Sequence, residues 1–169
     1  DFVALVDAKM DAEGAPRMSF FEVLTAMAIW KFADAPVDVA IIEVGMGGRW
    51  DATNVLDADA AVIGPIDMDH MAWLGDTVEQ IAQEKVGIIK PGCTAIIGRQ
   101  PHEDEVMPII EQAAAENHAT LVRDGVEAEV VARMPAVGGQ MVTLRTPNGT
   151  YADVPLDKFG EHQAHNALA

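Results

Sequence analysis

Apolar residues fall into two kinds of stretch along the chain. Residues 23–33 (VLTAMAIWKFA) form a long apolar-rich run preceded by Ser19-Phe20-Phe21-Glu22, the S-x-x-E capping box that opens a helix. Pro36 stops it, because the residue before a proline is pushed out of the helical region. Residues 37–44, 59–64 and 94–98 are short β-branched runs bounded by Gly, Pro or Asp, and read as buried strands of a parallel sheet. Between them, residues 77–89 predict a helix capped by Asp76 and ended by Pro91-Gly92. Residues 103–117 predict an amphipathic helix with Val106, Ile109, Ile110 and Ala113 on one face. Strands alternating with helices specify an α/β layer covered on both sides.

From about residue 120 the pattern changes. Alternating runs at 127–132, 140–146 and 150–155 are separated by Gly138-Gly139 and Asn148-Gly149, and the Asn-Gly pair is a strong hairpin signal. The expected organisation is an α/β layer over residues 1–119, a small antiparallel meander over 120–158, and the start of a closing helix over 159–169. There are no internal repeats. Residue 1 is Asp, and the chain stops within a starting helical pattern, so it reads as a piece of something larger.

Composition narrows the class. Half of the 169 residues are apolar, enough for a core, and no run approaches the roughly 18 residues that span a bilayer. With 11 Lys and Arg against 27 Asp and Glu, the net charge of −16 argues against a nucleic-acid surface. The single cysteine, Cys93, excludes an internal disulfide and fits a reducing cytoplasm. Without a metal-spaced partner, it reads as a small apolar residue.

Candidate chemistry collects at strand ends, where open parallel sheets hold ligands. Glu43 lies near the end of the 37–44 run, followed by Gly45-Met46-Gly47-Gly48-Arg49-Trp50-Asp51. A carboxylate there needs a cation or donors, and an ion pair with Arg49 stands level with a functional role. A dinucleotide motif is rejected, because position 50 is Trp. Asp67-Met68-Asp69-His70 ends the next strand. A carboxylate, an imidazole and phosphate oxygens would make a divalent-cation shell, with Mg²⁺ favoured where phosphates contribute. On the 77–89 helix Glu79 reads as solvated, and Lys85 as a partly buried amine beside Val86-Gly87-Ile88-Ile89.

These segments together resemble one family. Residues 43–54 (EVGMGGRWDATN), Asp69-His70, Leu74-Gly75-Asp76-Thr77 and residues 81–92 (IAQEKVGIIKPG) are similar to the folylpolyglutamate synthase/dihydrofolate synthase family of Mur-ligase-like, ATP-dependent amide ligases. Phe20 to Ala26 and Gly160-Glu161-His162-Gln163-x-x-Asn166-Ala167 match as well, and the likeness is weakest through residues 120–158. The resemblance implies a three-layer parallel sheet of the P-loop-NTPase-like central domain. It implies activation of a folate or dihydropteroate carboxylate by ATP to an acyl phosphate, which the amine of L-glutamate displaces. Glu43 and His70 match the family's Mg²⁺ ligands, and Lys85 its carbamylated, metal-binding lysine. Ser19, Phe20, Phe21, Glu22, Trp50, Asp51 and Ala52 match segments that contact the pteroate, and Asn166 the asparagine that reaches the ATP base. The implied protein is a cytoplasmic monomer.

The family's glycine-rich phosphate loop and its glutamate-binding C-terminal domain have no counterpart in these residues. The chain alone is therefore expected to be inactive. Two other readings carry different consequences: a non-catalytic folate- or nucleotide-binding homologue, and a cell-wall amino-acid ligase, against which residues 47–54 speak.

Overall fold

The computed structural model describes residues 2–35 and 37–169, and the chain divides into two compact units, residues 1–56 and 57–169. In the first unit α1 (Phe2–Glu13) and α2 (Phe20–Asp34) are joined by a turn that Arg17 closes through Asp11, at 2.8 Å. Phe2 stacks on Trp30 with ring centroids 5.7 Å apart. Helix α2 starts as its sequence dictates. Ser19 Oγ accepts from the Glu22 amide at 3.3 Å, and Glu22 Oε2 accepts from the Ser19 amide at 2.6 Å. Helix α1 buries none of its residues, which is why the apolar pattern alone leaves it unmarked.

Residues 37–44 are not a strand. Val39 and Ile41 are exposed, and no ladder forms along the segment among the described residues. A β-branched run records the surface a segment is suited to bury, but a strand exists only where a neighbour supplies hydrogen bonds. Pro36, the expected helix stop, lies outside the described residues.

The second unit holds a parallel sheet in the order β1 (Ala60–Ile63), β2 (Thr94–Ile97), β3 (Thr120–Arg123). Residues 120–123 thus belong to the parallel sheet rather than to the meander. Four residues carry too little alternation to show which edge they join; the register Thr94↔Thr120 decides it. Helices α4 (Val78–Lys85) and α5 (Glu103–Glu116) cover one face, burying Ile81, Ala82, Val106 and Ile110 against Ala61, Ile63, Ala95 and Ile97. Toward β2 and β3 the opposite face meets His165 and Leu168 near Ile96 and Val122, while Val62 stays half-exposed. Cys93 is buried in the core, as a small apolar residue should be.

Helix α4 is shorter than its sequence pattern. It runs to Lys85 and tightens into a 3₁₀ turn over Val86–Ile88, and its cap is Thr77, whose Oγ1 accepts from the Gln80 amide at 3.3 Å, rather than Asp76. Ahead of it, α3 (Met71–Leu74) is a single turn.

The meander is β4 (Glu129–Ala136), β5 (Gly139–Thr146) and β6 (Gly149–Leu156), antiparallel in that order. Thr146 pairs with Gly149, so the β5–β6 turn centres on Pro147-Asn148 and not on Asn148-Gly149. Gly149 takes φ +142° as the first residue of β6, while Asn148 keeps a negative φ, which excludes the type I′ turn. A bend to α6 (Glu161–Asn166) closes the chain, with Ala164 buried against Val142 and Leu144.

At the carboxyl edge of β1 and β2 one side chain substitutes for a ladder. Gln100 Oε1 accepts from the Ile66 amide at 2.9 Å, and its Nε2 donates to Gly64 O at 3.1 Å and Gly98 O at 2.7 Å.

Candidate functional site

The glycine-rich loop after residue 43 is organised by Asp51. Its Oδ1 accepts from Thr53 N at 2.9 Å and Thr53 Oγ1 at 2.6 Å, while Oδ2 accepts from Met46 N at 3.0 Å. Asp51 thereby caps the 3₁₀ turn Ala52–Val55 and ties it back to the glycines. Asn54 Nδ2 adds a bond to Arg49 O at 3.1 Å. Against this loop lies α2, with the Phe21 ring filling the space beside Gly45. The two segments matched to pteroate contact are therefore neighbours within the first unit.

Their side chains divide by task. Ser19 and Glu22 are engaged with each other, and Asp51 with the loop backbone. The Glu22 carboxyl is held below its usual range by the Ser19 amide and hydroxyl. Phe20 and Trp50 are 80% and 86% exposed, leaving flat apolar faces uncovered. Ala52 is half-buried at the start of the 3₁₀ turn.

Glu43 is exposed and makes no hydrogen bond or ion pair with any described residue, so the alternative pairing with Arg49 is not what the structure shows. His70 lies past the end of β1 with φ +51°, a left-handed backbone that a non-glycine residue rarely adopts. Its amide donates to Asp69 Oδ1 at 2.7 Å, and its Nε2 is 3.6 Å from Asp69 Oδ2. Lys85 is half-buried at the last position of α4. Glu43 belongs to the first unit, His70 and Lys85 to the second.

Among the described residues, no three or more His, Cys, Asp and Glu side chains gather closely enough to hold a metal by themselves. Mg²⁺ bound with a nucleotide takes most of its shell from phosphate oxygens and water and needs one or two protein ligands. Glu43 and His70 are each exposed, the first in the glycine loop's unit and the second past β1.

Asp67, three residues before His70, is exposed. Its carboxyl is lowered by the Met68 amide first and then by His102, whose Nε2 is 3.2 Å away. Glu79 is solvated as expected, and its carboxyl is lowered by its own amide and by Thr77. A cavity of about 260 Å³ opens at the carboxyl ends of β2 and β3, between Arg99, Gln100, Glu103, Arg123 and Asp124. Arg123 is spent there on Glu127 and Glu111, at 2.6 and 2.9 Å, and the Arg123 fork depresses the Glu127 carboxyl to about 2. The pair of Asp124 with His165, 41 residues on, leaves no trace in sequence spacing.

A three-stranded parallel sheet covered by helices and followed by an antiparallel meander defines a mixed α/β class of domain. The sequence profile of the Mur ligase middle domain matches residues 9–169, and the chain belongs to that family. It is 50% identical to the dihydrofolate synthase/folylpolyglutamate synthase of Mycobacterium tuberculosis, over 98% of the chain and 36% of that protein. It is 39% identical to the Escherichia coli enzyme of the same name, over 94% of the chain and 35% of that protein. Among solved structures, M. tuberculosis folylpolyglutamate synthase complexed with ADP superimposes with a TM-score of 0.88, at 50% identity over 98% of the chain and 37% of the other. A folylpolyglutamate synthase–AMPPCP–folate complex gives 0.91 at 29% identity, over 98% and 40%. The chain thus spans little more than a third of the length of these two relatives. No helix among the described residues is long and apolar enough to cross a membrane.

Proposed function

We propose that this chain is the central part of an ATP-dependent ligase that joins L-glutamate to the carboxylate of a folate or dihydropteroate. The likeness over 98% of the chain to a dihydrofolate synthase/folylpolyglutamate synthase carries the reading. In the reaction the substrate carboxylate attacks the γ-phosphorus of ATP, forming an acyl phosphate and releasing ADP. The amine of glutamate then attacks the acyl carbon, so that a C–N bond forms, the C–O bond to phosphate breaks, and one proton is lost.

The exposed rings of Phe20 and Trp50 would take the flat pteroate. Ser19, Glu22 and Asp51 act by fixing the segments that carry those rings, Phe21 by packing on Gly45, and Ala52 by beginning the clamped turn. Glu43 and His70 would hold Mg²⁺, which would screen the phosphate charge that develops in transfer. Lys85, half-buried, would add as a neutral amine to carbon dioxide, losing one proton to give an anionic carbamate beside the same ion. Asn166, exposed on α6, would meet the ATP base. The protein would work in the cytoplasm as a monomer, and the 169 residues alone would not turn over.

The test is ADP release by the full-length protein. Release that requires glutamate together with a folate or dihydropteroate supports the assignment. Release without glutamate, or none with both present, overturns it.

A further inference from the structure

Helix α6 has six residues, too few to persist on its own, and Ala164 is its one buried apolar anchor. Polar contacts therefore fix where it lies. At its start the buried amide of Gln140 donates to Gly160 O at 2.9 Å. At its end His165 Nδ1 is 2.6 Å from Asp124 Oδ2, with side chains 14% and 4% exposed.

Asp124 is itself immobilised. It follows β3 directly, its amide donates to Ile97 O at 2.9 Å, and its Oδ1 lies 3.7 Å from Arg99 Nε with no hydrogen bond of its own. A carboxylate this enclosed gains from every donor it meets, and a bond to it is stronger than one between neutral groups. Glu161 Oε1 lies 3.8 Å from His165 Nε2, on the other side of the ring from Nδ1.

We propose that Asp124 and His165 form a latch that fixes α6 on the carboxyl edge of the parallel sheet and so sets the direction of Asn166 toward the nucleotide. The inference rests on the reading of Asn166 given above. Consecutive helical residues point about 100° apart, so His165 facing inward to Asp124 leaves its neighbour Asn166 turned outward, where it is exposed. Both latch members are positioning residues for ATP, without contact to the reacting atoms.

The experiment is steady-state kinetics of the full-length enzyme with ATP and glutamate varied separately. His165→Ala is expected to raise KM for ATP about tenfold, with a smaller change in kcat and none in KM for glutamate. His165→Asn, whose amide nitrogen sits where Nδ1 was, is expected to recover most of the loss. Asp124→Asn keeps the shape and loses the charge, and should raise KM for ATP while preserving the melting temperature better than His165→Ala. Should His165→Ala not fold, that variant carries the test.

An unchanged KM for ATP in His165→Ala and Asp124→Asn, with Asn166→Ala impaired, overturns the latch and leaves the role of Asn166 standing. Equal impairment in His165→Ala and His165→Asn overturns it too, because the donor would then not matter. An unaffected Asn166→Ala removes the nucleotide reading itself, and the latch with it.

Discussion

The ring of Phe21 lies so close over Gly45 that a Cβ added there would stand 2.5 Å from its Cζ. Gly45→Ala must therefore push the ring away. Overpacking of this kind costs about 1–3 kcal/mol, and the half-exposed ring can yield, which places the cost at the low end. The expected result in the full-length protein is a small drop in melting temperature and a clear rise in KM for the folate substrate. Phe21→Leu in the same background should recover part of that KM, and a strictly additive pair would contradict the contact.

Asp51 accepts three bonds within its own loop. Asp51→Ala strands these donors at about 1 kcal/mol for each bond that water does not replace. The loop should then open, seen as faster amide exchange at Met46 and Thr53 and as weaker folate binding by calorimetry. Asp51→Asn retains one acceptor oxygen and should fall between the two.

Glu43 has no partner to lose among the described residues, so Glu43→Ala should leave stability within about 0.5 kcal/mol. If it holds the phosphate-bound ion, kcat should fall by about 10²–10³, with a higher Mg²⁺ concentration needed for half-maximal rate. Normal Mg²⁺ dependence in a well-folded variant would remove it from the metal site.

The pairing of Glu127 with Arg123 makes part of the stability acid-sensitive. Its carboxyl is held at about 2 against an ordinary 4.5, first by the Arg123 side chain. A depressed carboxylate contributes fully above its unfolded value, and the contribution is lost as pH falls from about 4.5 toward 2. Denaturant midpoints of the native protein and Glu127→Gln should therefore differ at pH 7 and converge only as pH falls from about 4.5 toward 2. A gap independent of pH would mean that packing, not charge, separates them.

Ile110 is fully enclosed between α5 and the sheet. Ile110→Ala should cost about 2–5 kcal/mol, read as a lower denaturant midpoint.

Short-range chemistry made much of this legible beforehand. The box of Ser19 and Glu22 spans three residues and closes in the structure as the pattern requires, and the apolar face of α5 buries Val106 and Ile110 as its spacing demands. Features that need a distant partner were not legible. The run at 37–44 shows the β-branched character of a strand but no ladder, and residues 120–123 reveal their sheet only through pairing with β2. The same holds for the site. Glu43, His70 and Lys85 are candidates from the motifs around them, whereas the structural work of Asp51 and the bond between Asp124 and His165 depend on folded geometry.

Gln100 meets a donor's need with its oxygen and two carbonyls' needs with its nitrogen. Glu would have no proton for Gly64 and Gly98, Lys no lone pair for Ile66, and Asn would be one methylene short of the span. An amide of that length supplies both kinds of partner, so a single carboxamide bridges the two loops at the spot where β1 and β2 part.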